Sequence, residues 1–391
     1  MQTIVTRYQP LLYLLKCALH NTQPDRSFLA NVDFHELARQ SSFHDVSAMV
    51  GYVISEWNDS GMLDKEQKAY WQEAYYHSVR DSLLIDRELE QVCGALSDAN
   101  IGYVKLKGSV LRRYYPKRGM REMCDVDLLI DPDQTEQAKN VMTALGYTVD
   151  AFGVSKDDIY SKPPIYHFEL HNKLFVESYP TFFEYFRHYY ESLSPVSPDG
   201  YERKMTDDQF YLFLIAHACK HLHRAGVGLR VLTDIFVVNR SFALHRDFID
   251  RELPKLGLVR DEMNLRSLSE KLFSSPESTA LPTLSRDEEN LLAFMLNSGA
   301  KGTFEQRVNN LSPQGVYADQ PDTSKNKWYY IKNRLILNPN TYRTKYPFFY
   351  RHKIARPLLP IMRLARATFK REGKIRDELN KLRKATKKSE D

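Results

Sequence analysis

Two aspartates separated by one residue lie in the run CDVDLLI, where a buried strand would otherwise be wholly apolar. They are Asp125 and Asp127, and on a strand their side chains point to the same face with Cα atoms ~6.6 Å apart. Two such carboxylates repel each other, and a divalent cation relieves the repulsion. Mg²⁺ or Mn²⁺ held by carboxylates and substrate phosphates is typical of phosphoryl-transfer sites, so the spacing predicts one. The alternative is two solvated aspartates at a strand end.

A third carboxylate is available further along the chain. Glu169 lies between Phe168 and Leu170 in HFELH, so on a strand it points away from two core residues. Residues 164–179 contain two apolar runs and are predicted to form a hairpin. Glu177, on the second strand of that hairpin, is the second choice for the third metal-binding acid.

A Gly-Ser pair offers a place for phosphate. Gly108 and Ser109 follow the strand-like residues 101–107 and precede a short helical pattern. Backbone N–H groups at such a turn can hold a phosphate, and glycine lets it approach closely. An ordinary turn has the same composition, so the pair is informative only together with the acids.

Strand and helix patterns alternate around these residues. Residues 101–107, 126–130 and 147–150 have the composition of strands. Asp131, with Gln134 completing a capping box, predicts the start of a helix after the second of them. This order, followed by the hairpin, predicts a small α/β domain with a mixed sheet.

Helical patterns lie on both sides of this domain. Residues 64–96 contain no proline, and their apolar residues recur at steps of three and four. After residue 205, Thr206 and Gln209 form a second predicted capping box, and the helix that follows is expected to end near Gly226.

The composition is that of a soluble globular protein, with 42% hydrophobic and 27% charged residues. The four cysteines lie far apart without a CxxC pair, which argues against a disulfide framework and favours a reducing compartment. The apolar N-terminal run is interrupted by Lys16 and has no charged leader, and no stretch reaches about 18 apolar residues. We therefore expect a cytoplasmic protein.

The charge is unevenly distributed along the chain. Residues 325–391 hold 20 Lys and Arg against 5 Asp and Glu, a net charge of +15, while the other residues carry a net charge of −10. A basic tail on an acidic body predicts an anionic partner, such as the inner face of a membrane or an acidic protein. A solvated basic helix is the alternative.

Several of these motifs, taken in order, resemble the DNA polymerase β superfamily of nucleotidyltransferases. The similarity is greatest to a family of largely uncharacterised bacterial nucleotidyltransferases. The resembling segments are Lys107-Gly108, Arg121, Asp125 to Ile130, Tyr160 to Phe175, Ile215 to His221, and Gly226 to Ile235.

The resemblance implies a role for each candidate residue. Asp125 and Asp127 would bind two metal ions, Glu169 would join one of them, and Gly108-Ser109 would hold the β- and γ-phosphates. The remaining candidate contacts to the nucleotide are Lys107, Arg121, His171, Lys220 and His221. A solvated position on the surface is the alternative for Lys107 and Arg121.

Other polar residues have competing interpretations. His217 and His221 are four residues apart, a spacing that can bind zinc, but no third ligand is evident. We expect them to pack beneath the site, with His221 or Lys220 reaching phosphate. Arg230 and Asp234 are also four apart and are predicted to pair within one helix. His171 is a candidate contact to phosphate. The alternatives are that it orients Glu169 or that it is an ordinary histidine of the hairpin.

We therefore predict an α+β protein in four parts. They are an N-terminal helical region (1–98), a minimal nucleotidyltransferase core with a small mixed sheet (99–200), a helical domain (201–320), and a basic, aromatic and proline-rich tail ending in a helix (321–391).

The predicted function is transfer of a nucleoside monophosphate from an NTP to an unknown acceptor hydroxyl or phosphate, in glycan or small-molecule biosynthesis. One alternative is a non-catalytic nucleotide-binding or scaffold protein that docks on a membrane or partner. A second is an enzyme or binder that acts on nucleic acid, which the basic tail favours and the acidic body disfavours.

Overall fold

Seven strands and fifteen α-helices make up the part of the chain that this computed structural model describes: residues 2–57, 61–300 and 302, with a few single residues beyond. The described residues up to 302 belong to one compact unit. The predictions for the tail at 321–391 lie outside the described residues. The domain boundaries at 98, 200 and 320 stay predictions.

The strands are short and join in one mixed sheet. They are β1 (Tyr103–Lys105), β2 (Val126–Ile130), β3 (Thr148–Ala151), β4 (Asp157–Lys162), β5 (Tyr166–His171), β6 (Ser194–Pro195) and β7 (Glu202–Lys204). Their order across the sheet is β3-β4-β5-β2-β1-β7-β6. The pairs β2–β5 and β1–β7 are parallel, and the other neighbours are antiparallel. The predicted α+β class with a mixed sheet is confirmed.

Along the chain, helices precede the strands, lie between them and follow them. They are α1 (Gln2–Arg7), α2 (Gln9–His20), α3 (Arg26–Leu29), α4 (Phe34–Phe43), α5 (Ser47–Ser55), α6 (Lys65–Asp98), α7 (Gly108–Leu111), α8 (Thr135–Ala144), α9 (Pro180–Phe186), α10 (Tyr189–Ser192), α11 (Asp207–Leu222), α12 (Arg230–Ser241), α13 (Arg246–Leu256), α14 (Val259–Phe273) and α15 (Arg286–Ser298). The long helix predicted at 64–96 is confirmed as α6.

The two predicted capping boxes have different outcomes. Thr206 and Gln209 form theirs at the start of α11, as predicted. The box predicted for Asp131 and Gln134 is wrong. The Gln134 side chain instead accepts a hydrogen bond from the Gly102 N–H, and the chain makes a 3-10 turn before α8.

The alternation of side chains along β2 separates the core from the site. Val126, Leu128 and Ile130 belong to a hydrophobic cluster to which α6 and α8 also contribute. Leu129 belongs instead to the larger cluster formed with the helices at the other side of the sheet. Because successive strand residues point to opposite faces, Asp127 shares the face of Leu129.

The hairpin predicted at 164–179 is wrong. β5 ends at His171, and its antiparallel neighbour is the preceding strand β4. The second apolar run instead buries Phe175 against three other phenylalanine rings of the helical core. Glu177 therefore lies outside the sheet and pairs with Lys173, so it is not a sheet neighbour of the acids in β2.

No disulfide bond joins any of the four cysteines, all of which lie within the described residues. Among the described residues no helix has both the length and the hydrophobicity that crossing a bilayer requires.

Candidate active site

Two of the predicted acids are direct neighbours in the sheet. β2 and β5 run parallel, and their register places Asp127 opposite Glu169. Both residues fall on the face opposite the core positions Val126 and Phe168, since those two neighbours belong to the cluster with α6 and α8. Strand pairing thus brings together two acids that are 42 residues apart in sequence.

The third predicted acid lies immediately before β2. Asp125 is exposed, whereas Asp127 is buried and the side chain of Glu169 is 27% exposed. Burial, together with the negative charges of Asp127 and Asp125, raises the pKa of Glu169. The three carboxylates therefore interact electrostatically, as the spacing predicts.

Asp127 is the most enclosed of the three acids. Its Oδ1 accepts hydrogen bonds from the ammonium of Lys107 at 2.6 Å and from Nε2 of His171 at 2.7 Å. Burial alone would raise the pKa of this carboxyl, but the Lys107 charge and the His171 hydrogen bond outweigh it and hold the pKa well below its usual value. Asp127 is consequently an anion throughout the physiological range.

The donor set suits a hard divalent cation. One ligand atom from each of Asp127, Glu169 and His171 lies within 4.8 Å of the others. After burial, the charges of Asp127 and Asp125 are the next largest effects that raise the pKa of Glu169, and each outweighs the opposing effect of Lys107. Carboxylate oxygens in excess of local positive charge fit Mg²⁺ or Mn²⁺.

A cavity of about 520 Å³ adjoins the acids. Its lining includes all three carboxylates together with side chains from α11 and α12. Basic groups from several segments line it as well, and three of them are Lys156, Lys220 and Arg224. The cavity therefore has acidic and basic parts, as a site for a metal-bound polyphosphate requires.

The sequence profile of a family described as uncharacterised nucleotidyltransferases matches residues 30–274. The chain belongs to this nucleotidyltransferase family. The match supports nucleotidyl transfer in general terms, with a nucleotide as substrate. No protein of curated function and no solved structure matches the chain.

Only part of the glycine-serine turn borders the cavity. Lys107 and Gly108 line it, whereas Ser109 does not, and the Ser109 hydroxyl is buried without a hydrogen-bond partner. A Cβ atom on Gly108 would lie 2.7 Å from Sδ of Met123, so only glycine fits without a shift. Lys107 has a positive φ of 45°, a backbone conformation that L-residues rarely adopt.

Arg121 lines the cavity and is paired with Asp234, and its predicted contact with phosphate stays a prediction. Its Nε and Nη2 atoms donate to the two carboxylate oxygens of Asp234 at 2.7 and 3.0 Å, and Tyr115 donates to the same carboxylate. The predicted pairing of Asp234 with Arg230 is therefore wrong. Nη1 of Arg230 lies 3.6 Å from Asp45 instead.

Near its C-terminal end, helix α11 presents His217, Lys220 and His221 to the cavity. His217 and His221 lie with their Nε2 atoms 3.3 Å apart, and burial lowers the pKa of both, that of His221 to about 3. Lys220 is the next residue on this face. Burial, and then the charges of Lys156, Lys107 and Arg224, lower its pKa to about 7.

Several cavity residues were missed by the sequence analysis, among them Lys156, Asp157 and Arg224. Lys156 and Asp157 lie at the start of β4, where SKDD has the composition of a loop. Arg224 follows the end of α11. The adjacent Ile159 and Tyr160, both of residue types enriched in strands, were the available signal for β4.

Proposed function

We propose that this protein transfers a nucleoside monophosphate from an NTP to an acceptor hydroxyl or phosphate, using Mg²⁺ or Mn²⁺ bound by Asp125, Asp127 and Glu169. The observation that supports the proposal most is the register between β2 and β5, which aligns Asp127 with Glu169 beside the exposed Asp125. In the reaction a bond forms between the acceptor oxygen and the α-phosphorus, and the bond from the α-phosphorus to the pyrophosphate oxygen breaks.

The metal would supply charge neutralisation at the phosphates and orient them for in-line attack. The chain's own residues bind and align the substrate. Gly108 lines the cavity, where its backbone would approach the phosphate chain, and the absence of a Cβ also leaves room for the Met123 side chain.

The basic part of the cavity is the proposed site of the triphosphate. Burial, and after it repulsion from neighbouring positive charges, lowers the pKa of Lys220 to about 7. A polyanion placed among Lys107, Lys156, Lys220 and Arg224 would relieve this repulsion and restore the ammonium form. His221, which lines the same cavity, is a further candidate contact.

The activity is testable with labelled NTPs. The wild-type protein, incubated with each NTP, Mg²⁺ and a cell extract, should attach a nucleotide to one class of acceptor, identified by mass spectrometry. Asp127→Asn and Glu169→Gln should abolish transfer. Glu177→Gln is the matched control, because this acid lies close in sequence yet outside the cavity, where it pairs with Lys173.

Two results would contradict the proposal. One is transfer that persists in Asp127→Asn. The other is thermal stabilisation by Mg²⁺ and by NTP that is merely additive, because a shared metal–triphosphate site requires each ligand to strengthen the binding of the other.

A further inference from the structure

A continuous line of hydrogen bonds connects the start of β4 to Asp127. Oδ2 of Asp157 accepts from Nζ of Lys156 at 2.7 Å, and the same ammonium lies 2.7 Å from Nδ1 of His171. The other ring nitrogen of His171, Nε2, lies 2.7 Å from Oδ1 of Asp127. The His171 side chain is only 2% exposed, so these two contacts use both polar atoms of a buried ring.

The chemistry of the partners fixes the direction of each bond. A lysine ammonium has donor hydrogens and no acceptor, so Nδ1 of His171 must accept from Lys156. An Nδ1 atom that accepts a hydrogen bond has no proton, so the ring is a neutral imidazole and not an imidazolium. A neutral imidazole with a free lone pair on Nδ1 carries its proton on Nε2, and Nε2 therefore donates to Asp127.

With its proton on Nε2, His171 cannot bind a cation held between Asp127 and Glu169. Nε2 is the ring nitrogen beside Asp127 and 3.7 Å from Oε2 of Glu169, and its lone pair is replaced by a proton. The one free lone pair of the ring, on Nδ1, is directed at Lys156. His171 is near the acids by distance, but it has no electron pair to offer a cation there.

We propose that His171 is a positioning residue that aims Asp127, and that Lys156 is the group that fixes the tautomer of His171. The inference rests on the proposed function in one respect, namely that Asp127 binds the metal. His171 and Lys107 both donate to Oδ1, and in the described part of the chain no donor is recorded on Oδ2. The carboxylate is therefore held from one side while its other oxygen can bind a cation.

The backbone holds this relay in register. The N–H of Asn172 donates to the carbonyl of Lys156 at 2.8 Å, and Asp157 is the β4 residue paired with His171. Lys156 is thus placed beside the imidazole by the last rungs of the β4–β5 ladder. A second-layer partner that orients a metal ligand in this way commonly changes metal affinity by about 10- to 100-fold when removed.

The tautomer is measured directly by two-bond ¹H–¹⁵N NMR on metal-free protein with ¹⁵N-labelled histidine. The wild-type spectrum should show His171 protonated on Nε2. Lys156→Met should give a mixture of tautomers, whereas Lys156→Arg, which keeps a donor-only cation, should retain the wild-type form. Lys139→Met on α8 is the control and should change nothing, since Lys139 pairs with Glu136. Protonation on Nδ1 in the wild type, or no change in Lys156→Met, would overturn the assignment.

Metal binding gives a second, separate readout. Mn²⁺ bound to the wild-type protein should show no directly coordinated ¹⁴N in pulsed EPR spectra, because all protein ligands are oxygens. Removal of the donor in His171→Leu should lower Mn²⁺ affinity by about 10- to 100-fold. His171→Gln, whose amide can donate to Asp127, should recover most of the loss. A ¹⁴N coupling typical of a bound imidazole, or equal losses in both variants, would show that His171 is a ligand.

The two readouts separate this inference from the proposed function. If Mn²⁺ does not bind at all, the metal-dependent function fails, while the NMR result still decides whether Lys156 sets the tautomer of His171.

Discussion

Asp127 and Glu169 are aligned in neighbouring strands, yet their environments shift their pKa values in opposite directions. Burial favours the neutral form of both carboxyls and would by itself raise both pKa values. For Asp127 the Lys107 ammonium and the His171 donor more than compensate, whereas Glu169 is surrounded mainly by other carboxylates. The same face of the sheet therefore contains one stabilised and one destabilised anion. Replacing each carboxylate by its neutral amide should change the stability of the protein in opposite directions.

Glu169→Gln should leave the metal-free protein as stable as the wild type or more stable, although it abolishes transfer. The reason is that a carboxyl with a raised pKa costs stability once the pH rises above the ordinary value of 4.5, and the amide removes that cost. Urea denaturation at pH 8 without metal measures the effect. A clear loss of stability would show that Glu169 has a structural role.

Asp127→Asn should destabilise the metal-free protein by about 1–3 kcal/mol, because it removes the counter-ion of the partly buried Lys107 ammonium. The lowered pKa of Asp127 means that its stabilising effect is present above pH 3.8 and is lost as the pH falls through the lower folded-state value. The same urea titrations at pH 8 provide the comparison. Equal stability of the two variants would contradict this view of the site.

Lys220 should take up a proton when NTP binds at pH 8. In the free protein its pKa is about 7 instead of 10.5, so at pH 8 most molecules carry the neutral amine, and a triphosphate favours the ammonium. For the same reason free-protein stability should fall as the pH drops from 10.5 towards 7. Calorimetry in two buffers with different ionisation enthalpies measures the uptake.

Lys220→Met should remove this proton uptake, while the exposed Lys204→Met should retain it. NTP binding that takes up no proton in the wild-type protein would place the triphosphate away from Lys220.

At the scale of elements, short strands and one tight turn position the site. β2 contains five residues, and its alternation sends three hydrophobic side chains to the α6–α8 cluster and Asp127 to the cavity face. The turn between β1 and α7 brings Lys107 to Asp127 and leaves no room beside Gly108. A shift of the backbone at this turn should therefore change the geometry of the site more than the packing of the hydrophobic core.

Gly108→Ala should weaken NTP binding and lower stability, since the new Cβ would lie 2.7 Å from Sδ of Met123 and force that side chain to move. Gly94→Ala is the matched control on α6, where a Cβ meets nothing within 4 Å. In a helix interior that replacement should stabilise the protein by about 0.5–1 kcal/mol without changing NTP affinity. Thermal denaturation and NTP titration of both variants provide the test. Unchanged NTP affinity in Gly108→Ala would show that the phosphates do not approach this turn.

At the scale of the whole described unit, one buried ion pair connects the segment before β2 to the helical layer. The Arg121 and Asp234 side chains are 10% and 5% exposed, and 113 residues separate them. Tyr115, which precedes Arg121 on the same segment, donates to the same carboxylate. The pair lies in the wall of the cavity, so it fixes α12 against the segment that carries Asp125.

Asp234→Leu should destabilise the protein by about 3–5 kcal/mol, because a buried guanidinium is left without its counter-ion. The double variant Arg121→Met, Asp234→Leu should recover most of this loss, since both charges are then gone. A double-mutant cycle by urea denaturation measures the coupling. A small effect of Asp234→Leu together with a large loss of NTP affinity in Arg121→Met would instead favour Arg121 as a phosphate contact.

The sequence by itself determined the features that depend on neighbours in the chain. The alternation in VDLLI assigns core and cavity sides to β2, and the capping box at Thr206 starts α11, because both depend on residues within a few positions. The motifs also predicted the family and the α+β class, which the profile match and the mixed sheet confirm. Each of these rests on local periodicity or on ordered short motifs.

Only the tertiary structure decided the partners of the charged residues. Asp234 has Arg230 four residues before it in the chain, yet it pairs with the distant Arg121. His171 lies closer in space to Asp127 than to Glu169, although Glu169 is only two residues away in the chain. A residue four positions away on a helix is within reach as a partner. A buried charge, however, pairs where the largest number of its donors and acceptors form hydrogen bonds. That geometry depends on strand order and helix packing, which no short segment encodes.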